Sequence, residues 1–261
     1  MKLFSMMSVV AASVVAVGLF SVSQTQAQPD PRYGIHDRNR PYPAEITAGT
    51  PSIGDKVGTA PSDAIILFDG TNLDKWVNEK GEKTKWVVKD GVMECTPGSG
   101  FIFSSEKFGD CQLHVEWSAP AKVQGDDQGR GNSGVFLGGG RYEIQVLDSY
   151  QNKTYADGCA SALYGQYPPF VQPVNKPGEW NTYDIIYIAP RWEGDKLVSP
   201  ARLTVFFNGV ITQLDRPLTG PTGHHVRPAY EKHDVKQPIG FQDHGNPVRF
   251  RNVWIRELNM N

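Results

Sequence analysis

The sequence lacks an excess of charge of either sign. Its 261 residues include 26 Lys and Arg against 28 Asp and Glu, which gives a formal net charge of −2. Proteins that bind nucleic acid gain much of their affinity by neutralising phosphates, so this balance argues against a nucleic-acid partner. The sequence also has no dense basic segment that would attach it to an anionic membrane surface. The charge therefore excludes a strongly basic binding protein.

Cysteine is scarce, with three residues at Cys95, Cys111 and Cys159. Their spacing matches no zinc-binding motif. A chain of this length buries a hydrophobic core large enough to fold without a disulfide framework. Two alternatives stay open: a disulfide between Cys95 and Cys111 on adjacent strands, or buried free thiols.

The sequence also lacks an amphipathic helical stripe, whereas signals for strands are frequent. Residues 111–117 alternate strictly between apolar and polar side chains, which predicts a half-buried strand. Asp90-Gly91 and Asn208-Gly209 predict hairpin turns. The 27 Gly, 19 Pro and 11% aromatic residues suit many short strands joined by turns. The pattern predicts an all-β sandwich or jelly roll, with further strands at 183–188, 202–207 and 248–256.

One long apolar run is present, at residues 6–22, and it follows Lys2. Small residues at Thr25 and Ala27 then form a cleavage site before Gln28. This order predicts a secretory signal peptide over residues 1–27, with export to the periplasm or the extracellular space and no stable membrane insertion. The alternative is an uncleaved membrane anchor, because the run approaches the length of a spanning helix.

Two segments follow the predicted signal peptide. Residues 28–61 are rich in proline and have little apolar periodicity, which predicts an extended tether or a loosely packed arm. Residues 62–258 carry the strand signals and have the length of one domain, with no internal repeat.

Candidate catalytic carboxylates lie on two predicted strands. In residues 141–148, Glu143 and Gln145 share one face, and a bulge after the strand would bring Asp148 to that face. In residues 111–117, Glu116 lies on the polar face. We expect Glu116, Glu143, Gln145 and Asp148 on one surface. The alternative is a solvated outer face, where scattered Glu and Gln are ordinary.

Further polar groups lie in predicted loops. His244 suits proton transfer near neutral pH, with Gln242 and Asp243 beside it, although Asp243 is also a common turn residue. Asn132 lies in a glycine-rich turn. The adjacent His224 and His225 are a weak signal for metal binding.

Aromatic residues beside predicted turns offer stacking surfaces for sugar rings. They are Trp76, Tyr164, Tyr167 and Trp180. The alternative for any one of them is packing in the core.

Nine short motifs occur in an order that resembles the 3-keto-disaccharide hydrolase domain family, and the resemblance covers about residues 62–258. It implies a concanavalin A-like jelly-roll sandwich of two antiparallel sheets. It also implies an exported enzyme that cleaves glycosides already oxidised at sugar C3 by a separate oxidoreductase. The motifs lie at 67–76, 86–91, 113–117, 131–136, 142–148, 162–165, 178–182, 208–210 and 242–252.

Residues 143–148 are also similar to the Glu-x-Asp-x-x-Glu strand of laminarinase-type glycanases, in which two carboxylates act as nucleophile and acid/base. Here Gln145 and Asp148 replace the second and third acids, so a retaining mechanism is disfavoured. A 3-keto sugar instead needs a base near C2, a stabiliser of the enolate and an acid for the leaving group. A divalent metal ion is a possible stabiliser and the one cofactor considered.

The resemblance and the residue types together assign the expected roles. We expect Glu143 or His244 as base or acid, with Glu116 and Asp148 supporting them or holding a metal. The expected substrate-binding residues are Asn132, Gln145, Tyr164, Trp180, Gln242 and Asp243.

Two other functions compete with a 3-keto-glycoside hydrolase or lyase. One is a non-catalytic carbohydrate-binding module on the same scaffold, since a fold does not fix a function. The other is a conventional glycosidase, which Gln145 disfavours. The number of ionisable side chains among the candidates exceeds what binding needs, and this favours an enzyme.

Overall fold

The computed structural model describes residues 30–258, and the predicted signal peptide at residues 1–27 lies outside them. The chain divides into two compact units, at residues 1–45 and 46–261. In the first unit, the described residues 30–45 form turns and coil. Across residues 30–258, no helix combines the length and the hydropathy that crossing a bilayer requires.

The second unit is built almost entirely of β-strands, with two short 3-10 turns at Asp127–Gly129 and Ala156–Gly158. The strands are β1 Ile65–Phe68, β2 Trp76–Asn78, β3 Val87–Lys89, β4 Val92–Glu94, β5 Ile102–Ser104, β6 Cys111–Ser118, β7 Ser133–Leu137, β8 Tyr142–Val146, β9 Asn181–Ile188, β10 Arg191–Glu193, β11 Lys196–Ser199, β12 Arg202–Phe207, β13 Val210–Pro217, β14 Gly240–Phe241 and β15 Arg249–Glu257.

Two antiparallel sheets hold most of these strands. The large sheet has the order β13-β12-β9-β6-β15-β4-β3, with β1 also paired to β15. The small sheet has the order β2-β5-β14-β7-β8, and β10 pairs with β11 in a separate hairpin. One continuous core contains side chains of both sheets, including Leu113 and Ile185 from the large sheet and Ile144 from the small one. The predicted all-β jelly-roll sandwich of two antiparallel sheets is confirmed.

The predicted hairpins form where the turn residues stand. Asp90 and Gly91 join β3 to β4, and Asn208 and Gly209 join β12 to β13. All four have positive φ, from 48° to 77°. Two successive residues with positive φ match the right-handed twist of the paired strands, which is why Asp-Gly and Asn-Gly stand at these turns.

Alternation along β8 orients the candidate site. Tyr142, Ile144 and Val146 are in the core, so Glu143 and Gln145 point to the opposite face of the small sheet, as predicted. On the neighbouring strand β7, Phe136 is paired with Glu143 and Gly134 is paired with Gln145.

Within the segment 28–61, which the sequence predicts as an extended tether or a loosely packed arm, residues 46–61 belong to the second compact unit. Thr50 and Thr59 pair through two backbone hydrogen bonds, and this closes a loop. The Ser52 hydroxyl donates to Glu116 of β6 over 2.5 Å, and Arg251 of β15 donates to the Gly54 carbonyl over 2.7 Å. The loop is therefore fixed to the large sheet.

The three cysteines are free thiols. Cys95 and Cys111 are buried in the core, and Cys159 is partly buried. This matches the alternative of buried thiols rather than a Cys95–Cys111 disulfide.

Candidate active site

A cavity of about 400 Å³ lies on the face of the small sheet that turns away from the core. We call it the Glu143 pocket. Its volume falls within the range of roughly 300–1,000 Å³ that small-molecule sites occupy. Six of the residues predicted from the sequence line it: Asn132, Glu143, Gln145, Tyr164, Gln242 and His244.

Glu143 is the most unusual ionisable group in this pocket. Its side chain is 7% exposed, and within residues 30–258 no group donates a hydrogen bond to its carboxyl. Burial raises the pKa of Glu143 to about 8, because an ionised carboxylate loses solvation there and gains no compensating partner. Such a carboxyl exchanges a proton near neutral pH.

Gly134 makes room for this carboxyl on the adjacent strand. A Cβ atom at Gly134 would stand 2.5 Å from Oε1 of Glu143 and 2.9 Å from Cε2 of Phe136. Any side chain at this position would push Glu143 aside. Phe136 in turn packs against Phe101 at a ring-centroid distance of 5.5 Å, and both rings line the pocket.

Amide side chains form the polar floor. Gln145 is 1% exposed and donates through Nε2 to Oε1 of Gln128 over 2.9 Å, while Asn132 donates to the Gln128 carbonyl over 2.8 Å. Oε1 of Gln145 and Oε1 of Gln242 are buried, and neither accepts a hydrogen bond from the part of the chain that the structure describes. Unpaired buried acceptors are costly, and a ligand hydroxyl would satisfy them.

In the loop that follows β14, His244 faces the pocket, whereas Asp243 bonds to the backbone of the loop and its neighbour. His244 is exposed and lines the pocket. Asp243 instead accepts hydrogen bonds from the backbone of Gly100 over 3.0 Å and of Gly245 over 2.9 Å. Burial acts to raise its pKa, but these bonds hold the pKa of Asp243 below its usual value. Asp243 therefore holds the turn and is not among the residues that line the Glu143 pocket, and its role in substrate binding stays a prediction.

Two tyrosines and a histidine form a hydrogen-bonded chain at one wall. The hydroxyls of Tyr155 and Tyr164 are 2.6 Å apart, and the Tyr164 hydroxyl is 2.9 Å from Nδ1 of His224. Sequence reasoning missed Tyr155 and Gln128, and it weighed His224 only as a weak metal ligand. The distance in sequence between 155–164 and 224 explains this, since no local pattern links the two loops.

Glu116 lies on β6 of the large sheet, so the expectation that it shares a surface with Glu143 is wrong. Alternation fixes the face of a strand but not the sheet that the strand joins. Glu116 is 1% exposed and pairs with Arg251 over 2.7 Å. Burial acts to raise its pKa, but hydrogen bonds from His114, Asn252 and other neighbours outweigh burial and lower it to about 2. This carboxylate lines a separate cavity beside the large sheet, together with Trp180 and Arg251.

Trp180 and Asp148 are also absent from the Glu143 pocket. The Trp180 ring lies 4.1 Å from the guanidinium carbon of Arg251 and lines cavities beside the large sheet. Asp148 is buried and accepts a hydrogen bond from Arg130 over 2.6 Å, beside a separate cavity. β8 ends at Val146, and the carboxylate of Asp148 points toward Arg130 and not toward Glu143.

The donor set does not fit a divalent metal ion held by the protein. Glu143, His224 and His244 line the pocket, yet no group of three or more His, Cys, Asp or Glu side chains among residues 30–258 converges as metal ligands.

Comparison with known proteins identifies the family. Residues 63–256 match the model of the 3-keto-alpha-glucoside-1,2-lyase-like domain. The chain belongs to this family. The match covers strands β1 to β14 completely and β15 except for its last residue, Glu257. The Glu143 pocket therefore lies wholly within the family's domain.

Solved structures agree with this membership. A candidate glycosyl hydrolase from Parabacteroides distasonis is 42% identical, with 86% of this chain and 97% of that chain covered and a TM-score of 0.78. A second candidate glycosyl hydrolase from the same organism is 22% identical, covers 76% of this chain and 94% of its own, and has a TM-score of 0.57. The second supports the fold alone. No curated protein matches the chain.

Proposed function

We propose that this protein is an enzyme that cleaves 3-keto-glycosides in the Glu143 pocket, by abstraction of the C2 proton and elimination at C1. The observation that carries the proposal is the Glu143 carboxyl, which is buried, lacks a hydrogen-bond partner within residues 30–258 and titrates near pH 8. Family membership supports the substrate class.

The pocket suits an uncharged sugar ring. The rings of Phe101 and Phe136 offer an apolar surface to the C–H face of a sugar, and the unpaired Oε1 atoms of Gln145 and Gln242 accept hydrogen bonds from its hydroxyls.

A ketone at C3 changes the chemistry that the pocket must supply. The carbonyl acidifies the proton on C2, so one base can remove it and leave an enolate. A carboxylate of raised pKa is a stronger base than an ordinary one, and Glu143 is the group in the pocket with that property. The Gln242 amide and the His244 imidazole line the same pocket and offer N–H donors for the enolate oxygen.

Elimination then breaks the glycosidic bond. The electron pair of the C2–H bond forms the enolate, and collapse of the enolate creates a C1=C2 double bond as the C1–O bond breaks. The leaving oxygen takes up one proton, so the step needs no oxidant or reductant. Addition of water across C1=C2 gives the free 3-keto sugar and completes net hydrolysis.

The substrate implies a preceding reaction, and the N-terminal sequence supports a location outside the cytoplasm. Formation of the C3 ketone removes two electrons and two protons from a secondary alcohol, so an oxidoreductase that acts on sugars must come before this enzyme. The apolar N-terminal segment and the cleavage pattern at residues 25–27 support export.

Matched substrates test the proposal. Purified protein is incubated with a disaccharide and with the same disaccharide oxidised at C3, with and without chelator, and the released sugar is measured by chromatography. We expect cleavage of the oxidised compound alone. Glu143→Gln should lower kcat at least about 100-fold, whereas Glu94→Gln on β4 of the large sheet should match the wild type.

Other outcomes identify the competing functions. Binding of sugar without cleavage of either compound would indicate a carbohydrate-binding module. Cleavage of the unoxidised disaccharide would indicate a conventional glycosidase.

A further inference from the structure

The Glu143 pocket shares a wall with a second cavity of about 470 Å³, which we call the adjoining cavity. Tyr155, Tyr164, Gly223 and His224 line both cavities. The hydrogen-bonded chain of the two tyrosines and His224 therefore stands at the boundary between them. A substrate that occupies both cavities would lie beside this chain.

Tyr164 is fixed with respect to Glu143. Its backbone N–H donates to the Glu143 carbonyl over 3.2 Å, which ties the loop to β8. Its hydroxyl contacts the Tyr155 hydroxyl and Nδ1 of His224, so the phenol has a defined orientation. The reaction proposed above has a base but no assigned acid for the leaving oxygen.

We propose that Tyr164 is the general acid that protonates the glycosidic oxygen, and that the adjoining cavity receives the leaving group. This inference rests on the proposed function. A sugar alkoxide is a strong base, and a phenol keeps its proton at neutral pH, so Tyr164 arrives protonated and can donate as the C1–O bond breaks. The Tyr155 hydroxyl and the His224 ring, which both contact the Tyr164 hydroxyl, would then stabilise the phenolate.

The protons balance over the full cycle. Glu143 takes the C2 proton, and Tyr164 gives one proton to the leaving oxygen. In the hydration step, the Tyr164 phenolate takes a proton from water as the water oxygen bonds to C1, and Glu143 returns a proton to C2 after the Glu143 carboxyl has exchanged with solvent. Both residues regain their starting states, and the net reaction consumes one water.

The adjoining cavity favours a leaving group with hydroxyls. Asp157 and Arg227 line it, and neither side chain makes a hydrogen bond to another group in the described part of the chain. A carboxylate accepts and a guanidinium donates, which together match hydroxyl groups that do both.

Two substrates with different leaving groups test the assignment. One is a 3-keto-disaccharide, and the other is the 4-nitrophenyl 3-keto-glycoside, whose nitrophenolate departs without protonation. We expect Tyr164→Phe to lower kcat at least about 100-fold for the disaccharide and to leave the nitrophenyl compound little changed. Tyr150→Phe is the matched control, since its hydroxyl makes no hydrogen bond within residues 30–258, and it should match the wild type on both.

The outcomes separate this inference from the proposed function. An equal loss on both substrates would show a structural role for Tyr164 and overturn the inference, as would full activity of Tyr164→Phe on the disaccharide. Failure of the wild-type protein to cleave either compound would instead overturn the proposed function. Selective loss on the disaccharide supports both.

Discussion

Glu143 and Glu116 lie on different sheets of the sandwich, and their environments shift their pKa values in opposite directions. Glu143 has no hydrogen-bond partner in the described chain, and burial raises its pKa to about 8. Glu116 is held by hydrogen bonds that overcome burial and lower its pKa to about 2. The same residue type is therefore poised for proton exchange on one sheet and fixed in its charged form on the other.

The pH dependence of cleavage should follow Glu143. The proposed base acts as a carboxylate, so kcat/KM should rise with pH and level off above about pH 8. A pH profile of kcat/KM between pH 5 and 9 measures this. A rate that is already maximal at pH 5 would contradict a role for Glu143 as the base.

Glu143→Gln should stabilise the protein while it lowers kcat at least about 100-fold. The folded-state pKa of Glu143 is raised above its unfolded value. Burial of Glu143 therefore costs the wild type no ionisation energy below about pH 4.5, where the group is protonated in both states. The free energy of unfolding then falls as the pH rises from there toward 8. The variant should gain about 1–3 kcal/mol in the free energy of unfolding at pH 7. Urea denaturation at pH 4 and pH 7 compares the two proteins, and an equal difference at both pH values would contradict the assigned pKa.

Glu116→Gln should have the opposite effect. Loss of one partner leaves Arg251 buried without its charge pair, at a cost of about 3 kcal/mol or more at neutral pH. Stability from Glu116 is present above about pH 4.5 and is lost as pH falls toward 2, so the difference between variant and wild type should shrink in acid. The folded variant should keep wild-type kcat. A large loss of kcat would indicate that Glu116 takes part in catalysis.

Gly134→Ala should impair catalysis by displacement of Glu143. The new methyl group would stand 2.5 Å from Oε1 of Glu143, so we expect kcat to fall roughly 10- to 100-fold with the fold retained. Gly129→Ala is the matched control, because a Cβ there meets no atom within 4 Å. Steady-state kinetics on a 3-keto-disaccharide compares them, and equal activity of the two variants would show that Glu143 does not need its present position.

Local patterns in the sequence predict the strands and their faces. The alternation in 141–148 places Glu143 and Gln145 on one face, as the structure shows for β8. The alternation in 111–117 equally predicts the polar face of Glu116, but the sheet to which β6 belongs depends on pairing with β9 and β15, which lie far away in sequence. Contacts between distant segments carry no periodic signal.

The loops of the site show the same limit. The chain of Tyr155, Tyr164 and His224 joins two loops about 60 residues apart, and the sequence offers only isolated aromatic and histidine residues there. Asp148 shows a second limit, because its carboxylate pairs with Arg130, 18 residues earlier, and no local pattern predicts that contact.

The central claim is that Glu143 removes the C2 proton of a 3-keto-glycoside. A substrate deuterated at C2 tests it most directly, with the rate and the deuterium content of the released 3-keto sugar measured in ordinary water. The account predicts a several-fold slower reaction and loss of deuterium from C2. An unchanged rate with full retention of deuterium at C2 would contradict it.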